Sequence, residues 1–366
     1  MPVDTASRAD AGPTPSSSPD SSGSGAGATA REPLWDTLRW VAIALVVIGH
    51  SVEARTHDQL AYGLYLWIYA FHVPLFAFVS GIVLRSDEVT PSRGWVVVRQ
   101  LVVPYVTFSV LWGLLRWWVE GGFVLNLASP YWHLWFLVAL AVWRLSVPLF
   151  ASVRWPVLWA VMLACTMGYF DGVGWQFDAS RIFSFLPFFV LGWALARHGA
   201  IRPVLRVLRL PVVRVVSGVV LAGTLAVAIF TESFSRQHAL RAWLQAQSNF
   251  ADIGEAHWYG GLVRLGCIGL ACLLVAAVVS VVPRVIPVVT AWGAVATMYV
   301  YMLHLVPIYV LRTRYDVLGN GTGWLPTIAI VGSALLLAAV TSILPVRWLT
   351  RTLVEPRLRW LRNVHE

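Results

Sequence analysis

The sequence predicts an all-α fold, a polytopic transmembrane helix bundle of about ten spans with both termini in the cytoplasm. Three observations carry this expectation. The 366 residues are 58% hydrophobic and only 12% charged, roughly half the charged fraction of a soluble domain. The apolar residues come in long unbroken runs, most of them near the length of about 20 residues that a helix needs to cross a bilayer. The arginines fall unevenly between alternate loops, as they do in membrane proteins with basic loops held inside.

Taken in chain order, residues 1–30 are rich in Ser, Pro, Gly and Ala and hold no apolar run. They read as a disordered cytoplasmic tail and not as a signal peptide. Residues 31–350 read as the transmembrane domain, and 351–366 as a basic cytoplasmic tail. The candidate spans are Leu34–Val52, Leu64–Leu84, Trp95–Trp118, Trp132–Ala151, Trp155–Phe170, Ile182–Ala196, Val212–Phe230, Leu262–Val282, Ala291–Leu311 and Leu325–Leu344. The fifth and sixth are short for a hydrocarbon core of about 30 Å. The longest outer loop, Thr231–Gly261, contains FSRQHALRAWLQAQ, a short interfacial helix by its pattern. Loops of this length are more often functional than passive, and this one reads as a lid over a site. The last five spans do not repeat the first five, which speaks against a carrier built from inverted repeats.

With the N-terminus inside, the inner side holds Arg8, Arg31, Arg85, Arg93, Arg154, Arg197, Arg202, Arg206, Arg209, Arg284, Arg347, Arg351, Arg357, Arg359 and Arg362. The outer side holds only Arg55, Arg181, Arg236, Arg241, Arg312 and Arg314. The net charge of +9 follows from those inner arginines, so nucleic acid is not an expected partner and the lipid bilayer is. Cys165, Cys267 and Cys272 all sit in apolar runs with no metal or redox spacing, and read as small core residues. No metal site is expected.

Within the first span, Arg39 and His50 are ionisable groups in a stretch where such groups are costly. Eleven residues apart, they return to within about 20° of one helix face and stand about 16 Å apart along the axis. Asp36 sits three residues before Arg39 and Glu53 three residues after His50, each within reach on its own face. His72 and His304 fall at mid or outer depth in the second and ninth spans. His133, between Trp132 and the tryptophan at 135, reads as an interfacial anchor. Ser80–Gly81 reads as a tight helix contact.

Several stretches together resemble the acyltransferase-3 family of integral-membrane acyltransferases. WDTLRWVAIALVVIGHS resembles the family's opening span, carrying Asp36, Arg39 and His50. FHVPLFAFVSGIVL resembles the second span, with His72, Pro74, Phe76, Ser80 and Gly81. RGWVVVRQLVVPY is similar to the basic lead-in of the third span, with Arg93, Arg99, Pro104 and Tyr105, although Gln100 stands where the family often has a further basic residue. HLWFLVAL, SFLPFFVLGWAL and MYVYMLHLVPIYV resemble later spans. The likeness runs from about Arg31 to Leu344.

This resemblance implies an O-acyltransferase in the cell membrane that takes an acyl group, usually acetyl, from cytoplasmic acyl-CoA. No permanently bound cofactor is implied. The acceptor is a hydroxyl, most often on a surface or secreted glycan. Acylation of a secondary metabolite such as a macrolide is the alternative within the family, and a transporter of glycan or metabolite is the alternative outside it. On this reading His50 is the base for the hydroxyl proton, Glu53 orients it, and His304 joins them as a catalytic group. Arg39, Arg93 and Arg99 bind the donor phosphates, with Asp36 and His72 in support.

Overall fold

The structure is a computed structural model that describes residues 32–84, 90–170, 172, 176–254, 258–319, 321 and 323–356. The expected tail 1–30 and residues 357–366 of the expected C-terminal tail lie outside these. Every regular element among the described residues is a helix. In chain order they are α1 Pro33–Val52, α2 Gln59–Tyr69, α3 His72–Ile82, α4 Pro91–Val97, α5 Val103–Glu120, α6 Trp135–Ser152, α7 Pro156–Thr166, α8 Ala179–Arg197 and α9 Ile201–Leu208. They continue with α10 Pro211–Phe230, α11 Glu232–Gln237, α12 Leu240–Gln245, α13 Gly260–Val281, α14 Pro287–Val295, α15 Thr297–Leu303, α16 Leu305–Thr313, α17 Trp324–Ser342 and α18 Leu344–Val354.

Eight helical segments among the described residues are long and apolar enough to cross a membrane, and nine if one bent pair counts as a single span. Two of the ten expected spans take another form. The fifth span is only a short apolar helix, Pro156–Tyr169. The ninth is α14 followed by Thr297–Thr313, bent by 72° at Ala296. The fourth is also shorter than expected, because its helix begins at Trp135 and leaves Trp132 and His133 in the turn before it.

Proline explains the other breaks. The second span is interrupted between α2 and α3, where Pro74 has no N–H for the carbonyl four residues back. At the same break the His72 ring is anchored by its Nδ1, which bonds the Ile68 carbonyl at 2.8 Å. Before Pro104 the third span passes through one π turn, Val98–Val102, which carries Arg99. Pro307 follows the short gap at His304 between α15 and α16.

Helix α1 lies in the middle, packed against α2, α3, α14, α15, α16 and α17. Its N-terminal half is pinned to the start of the broken ninth span. Thr37 Oγ1 meets Thr290 Oγ1 at 2.7 Å and donates to the Arg284 carbonyl at 3.1 Å. A Cβ on Gly293 would come within 1.7 Å of the Asp36 carbonyl oxygen, so only glycine permits this approach. α3 and α8 meet through a reciprocal pair of glycines. A Cβ on Gly81 would stand 2.1 Å from the Phe189 oxygen, and one on Gly192 2.1 Å from the Phe78 oxygen. By contrast α10 buries only Ser217 and exposes Val212, Val215, Val219, Val227 and Phe230, a surface suited to lipid chains.

Candidate active site

His50 is the last ionisable group of α1 before the chain turns into the 3-10 segment Glu53–Arg55. That turn puts Glu53 beside the ring, with His50 Nδ1 and Glu53 Oε2 3.6 Å apart. The Tyr69 hydroxyl lies 3.5 Å from the same nitrogen. The other carboxylate oxygen of Glu53 accepts a hydrogen bond from Arg241 at 2.8 Å. Glu53 is thus held between an imidazole and a guanidinium on a different segment, an arrangement that fixes a histidine's ring orientation.

His304 approaches from the broken ninth span. Its ring lies 5.5 Å from that of His50, and the Trp132 ring is 5.7 Å from His50. His304 Nδ1 faces the carbonyls of Val300 and Tyr301, both at 2.9 Å. Nδ1 therefore carries the proton, and Nε2 is left as an acceptor, buried with no protein partner. His133 sits 5.4 Å from His304 and 5.0 Å from the Tyr301 ring. It is buried, and neither ring nitrogen has a protein partner. The reading of His133 as an interfacial anchor is corrected: the turn before α6 folds it inward, and the Tyr301 hydroxyl donates to its backbone carbonyl. Among the described residues, no group of three His, Cys, Asp or Glu side chains is placed to hold a metal ion.

Two cavities meet near these residues. One, of about 140 Å³, is lined by His50, Glu53, Tyr69, His72, Trp132 and His133, and by Asp178, Arg181, Gln245 and Gln247. Arg181 braces its far wall. Its guanidinium reaches Asp178 Oδ1 at 3.2 Å, the Gln245 carbonyl at 3.2 Å and Gln247 Oε1 at 3.1 Å. The long loop expected to act as a lid is therefore part of this wall, through α12 and the residues after it. Trp132 and Asp178 both have positive φ, 35° and 54°, a costly geometry for side chains of this size that turns both toward the cavity wall.

The second cavity is larger, about 600 Å³, and lies along the N-terminal half of α1. Arg39, Arg99, Arg144 and Arg351 line it together with Ser80, Gln100 and Tyr301. Arg39 also pairs with Asp36 at 3.7 Å. Arg93 falls on α4, with its side chain outside the described residues.

The structure thus gathers His50, Glu53 and His72 around one cavity, with His304 packed against His50, and gathers Arg39 and Arg99 around the other. It adds groups that the sequence reading did not select. Arg144 lies inside the fourth span and has a buried Nε with no protein partner. Arg181 comes from the first turn of α8, and Arg241, Gln245 and Gln247 come from α12 and the residues just after it.

These features define a helical membrane protein with a histidine-rich polar chamber inside its bundle and an arginine-lined cavity leading away from it. The model of the acyltransferase domain in the acyltransferase-3 family matches residues 33–343. The chain belongs to that family and is a membrane acyltransferase. No curated protein and no solved structure matches it.

Proposed function

We propose that the protein moves an acetyl group from acetyl-CoA to a hydroxyl of a glycan, the donor entering the arginine-lined cavity and the acceptor the histidine-lined one. The observation that carries this reading is the His50–Glu53–Arg241 chain of contacts, facing a polar cavity and standing beyond a separate cavity with four guanidinium groups. Guanidinium forks suit the phosphates of a coenzyme. The excess of arginine on one side supports reading that side, with the arginine-lined cavity and both termini, as the cytoplasmic face of a cell membrane.

In the transfer step the acceptor oxygen forms a bond to the thioester carbonyl carbon while His50 Nε2 takes its proton. The carbon–sulfur bond breaks, and the thiolate regains a proton from the imidazolium, giving an ester and coenzyme A. Glu53 at Nδ1 stabilises the imidazolium in between. His304 packs its ring against His50 and supports the base from behind. His72 stays a structural support, its Nδ1 committed to the Ile68 carbonyl. Asp178, Arg181, Gln245 and Gln247 offer the donors and acceptors that sugar hydroxyls need, which favours a carbohydrate over an apolar macrolide ring.

The test uses purified protein in lipid nanodiscs with acetyl-CoA and a panel of oligosaccharides, reading thiol release and acetylated product by mass spectrometry. The expected result is transfer by the native protein and its loss in His50→Ala. Full transfer by a correctly inserted His50→Ala protein would overturn the assignment.

A further inference from the structure

The two cavities share three wall residues, Phe76, Phe136 and Tyr301. Nothing else lines both. Phe76 and Phe136 meet edge to face at 5.2 Å, and Phe136 and Tyr301 stand 6.2 Å apart. Any group passing from the arginine side to His50 therefore passes these three rings.

The rings are not equally fixed. Phe136 is buried and also touches Trp135 and Trp143, both at 5.7 Å. Tyr301 is buried, and its hydroxyl is tied to the His133 carbonyl. Phe76 is half-buried, and its ring contact among the described residues is with Phe136. It also sits on α3 a half-turn beyond Pro74, after the break that starts that helix. Phe136 and Tyr301 are the fixed posts, and Phe76 is the ring whose size sets the opening.

We infer that Phe76 sets the acyl-chain length the protein accepts, by closing the partition between the two cavities to anything wider than a thioester carrying a short acyl group. The inference rests on the donor and acceptor reading given above. When a thioester carbonyl is brought to His50 from the arginine side, its acyl carbons enter the cavity of about 140 Å³ and share it with the acceptor hydroxyl. Acetyl fits that space. A longer chain has to lie back against Phe76, where the ring already stands. Discrimination of chain length by one apolar wall amounts to about tenfold or more per methylene.

The experiment compares acetyl-, butyryl- and octanoyl-CoA as donors for native protein, Phe76→Leu, Phe76→Ala and the narrowing variant Phe76→Trp, with coenzyme A binding measured on each. The native protein is expected to prefer acetyl. Phe76→Ala is expected to raise the octanoyl-to-acetyl ratio of kcat/KM about tenfold or more, with Phe76→Leu between. Phe76→Trp is expected to lower kcat for acetyl while coenzyme A still binds. An unchanged chain-length profile in the variants, or variants that lose coenzyme A binding together with transfer, would overturn the inference and leave the acyltransferase reading standing. Absence of transfer by the native protein from every donor would instead remove the reading on which it rests.

Discussion

At the scale of single residues, the site turns on which nitrogen of His50 is committed. Glu53 and Tyr69 both face Nδ1, which leaves Nε2 to act as the base in the proposed transfer. Base removal costs about 10²- to 10⁴-fold in such reactions. We expect His50→Ala to lower the transfer rate by that amount with no loss of membrane insertion. Glu53→Gln keeps the shape but loses the charge that steadies the imidazolium, and a drop of about 10- to 100-fold is expected. Initial rates in nanodiscs check both, and a Glu53→Gln protein as fast as native would remove the carboxylate from the mechanism. His50 and His304 were legible in the sequence because ionisable groups in apolar runs are costly and are kept for a purpose. Arg144 carried the same signal, inside the run AVWRLSV, and was passed over. Arg181 and Arg241 gave none, because a guanidinium in a polar outer loop is ordinary until the fold turns it toward a carboxylate.

At the scale of the elements, the chamber depends on helices brought closer than side chains normally allow. Gly81 and Gly192 bring α3 against α8, and Gly293 brings α14 against α1, so His72 and the bent ninth span reach the same place. An added methyl at Gly81 meets backbone, which cannot turn aside, and overpacking of this kind costs about 1–3 kcal/mol. Gly81→Ala is therefore expected to lower the detergent-solubilised melting temperature. An unchanged melting curve would show that α3 and α8 separate freely. Apolar runs revealed where helices lie, since run length is a local property. They marked the run of the seventh helix as short, but they did not reveal the 72° bend at Ala296. The bend coincides with the docking of α14 on α1, a contact between residues far apart in sequence. Pro74 and Pro307 were visible as letters, but a proline in a membrane helix kinks or breaks it according to what its neighbours can bond.

At the scale of the whole molecule, charge separates the two ends of the bundle, and this carries two expectations. Orientation is checked in a background lacking Cys165, Cys267 and Cys272. A membrane-impermeant maleimide on intact cells should label His57→Cys, at an exposed position after α1, and spare Arg202→Cys on exposed α9. The reverse labelling would invert the proposed topology and send the donor to the wrong side. The second expectation concerns the arginine-lined cavity itself. Arg39, Arg99, Arg144 and Arg351 come from four different helical segments, so the cavity is positive only because the fold assembles it. Hydrogen bonds to charged groups contribute about 1.5–3 kcal/mol each, which is roughly 10- to 100-fold in affinity per guanidinium. Arg99→Ala and Arg351→Ala lie at the open end of the cavity, where water screens the loss, and are expected near the lower figure. Arg144→Ala, with its Nε buried, is expected near the upper one. Binding of coenzyme A should also weaken as salt is raised, since charges in an open cavity are screened over about 8 Å at physiological ionic strength. Coenzyme A titrations at two salt concentrations test both effects. If all three variants bind coenzyme A as the native protein does, the phosphates lie elsewhere and the arginines serve only to hold this end of the bundle in the cytoplasm.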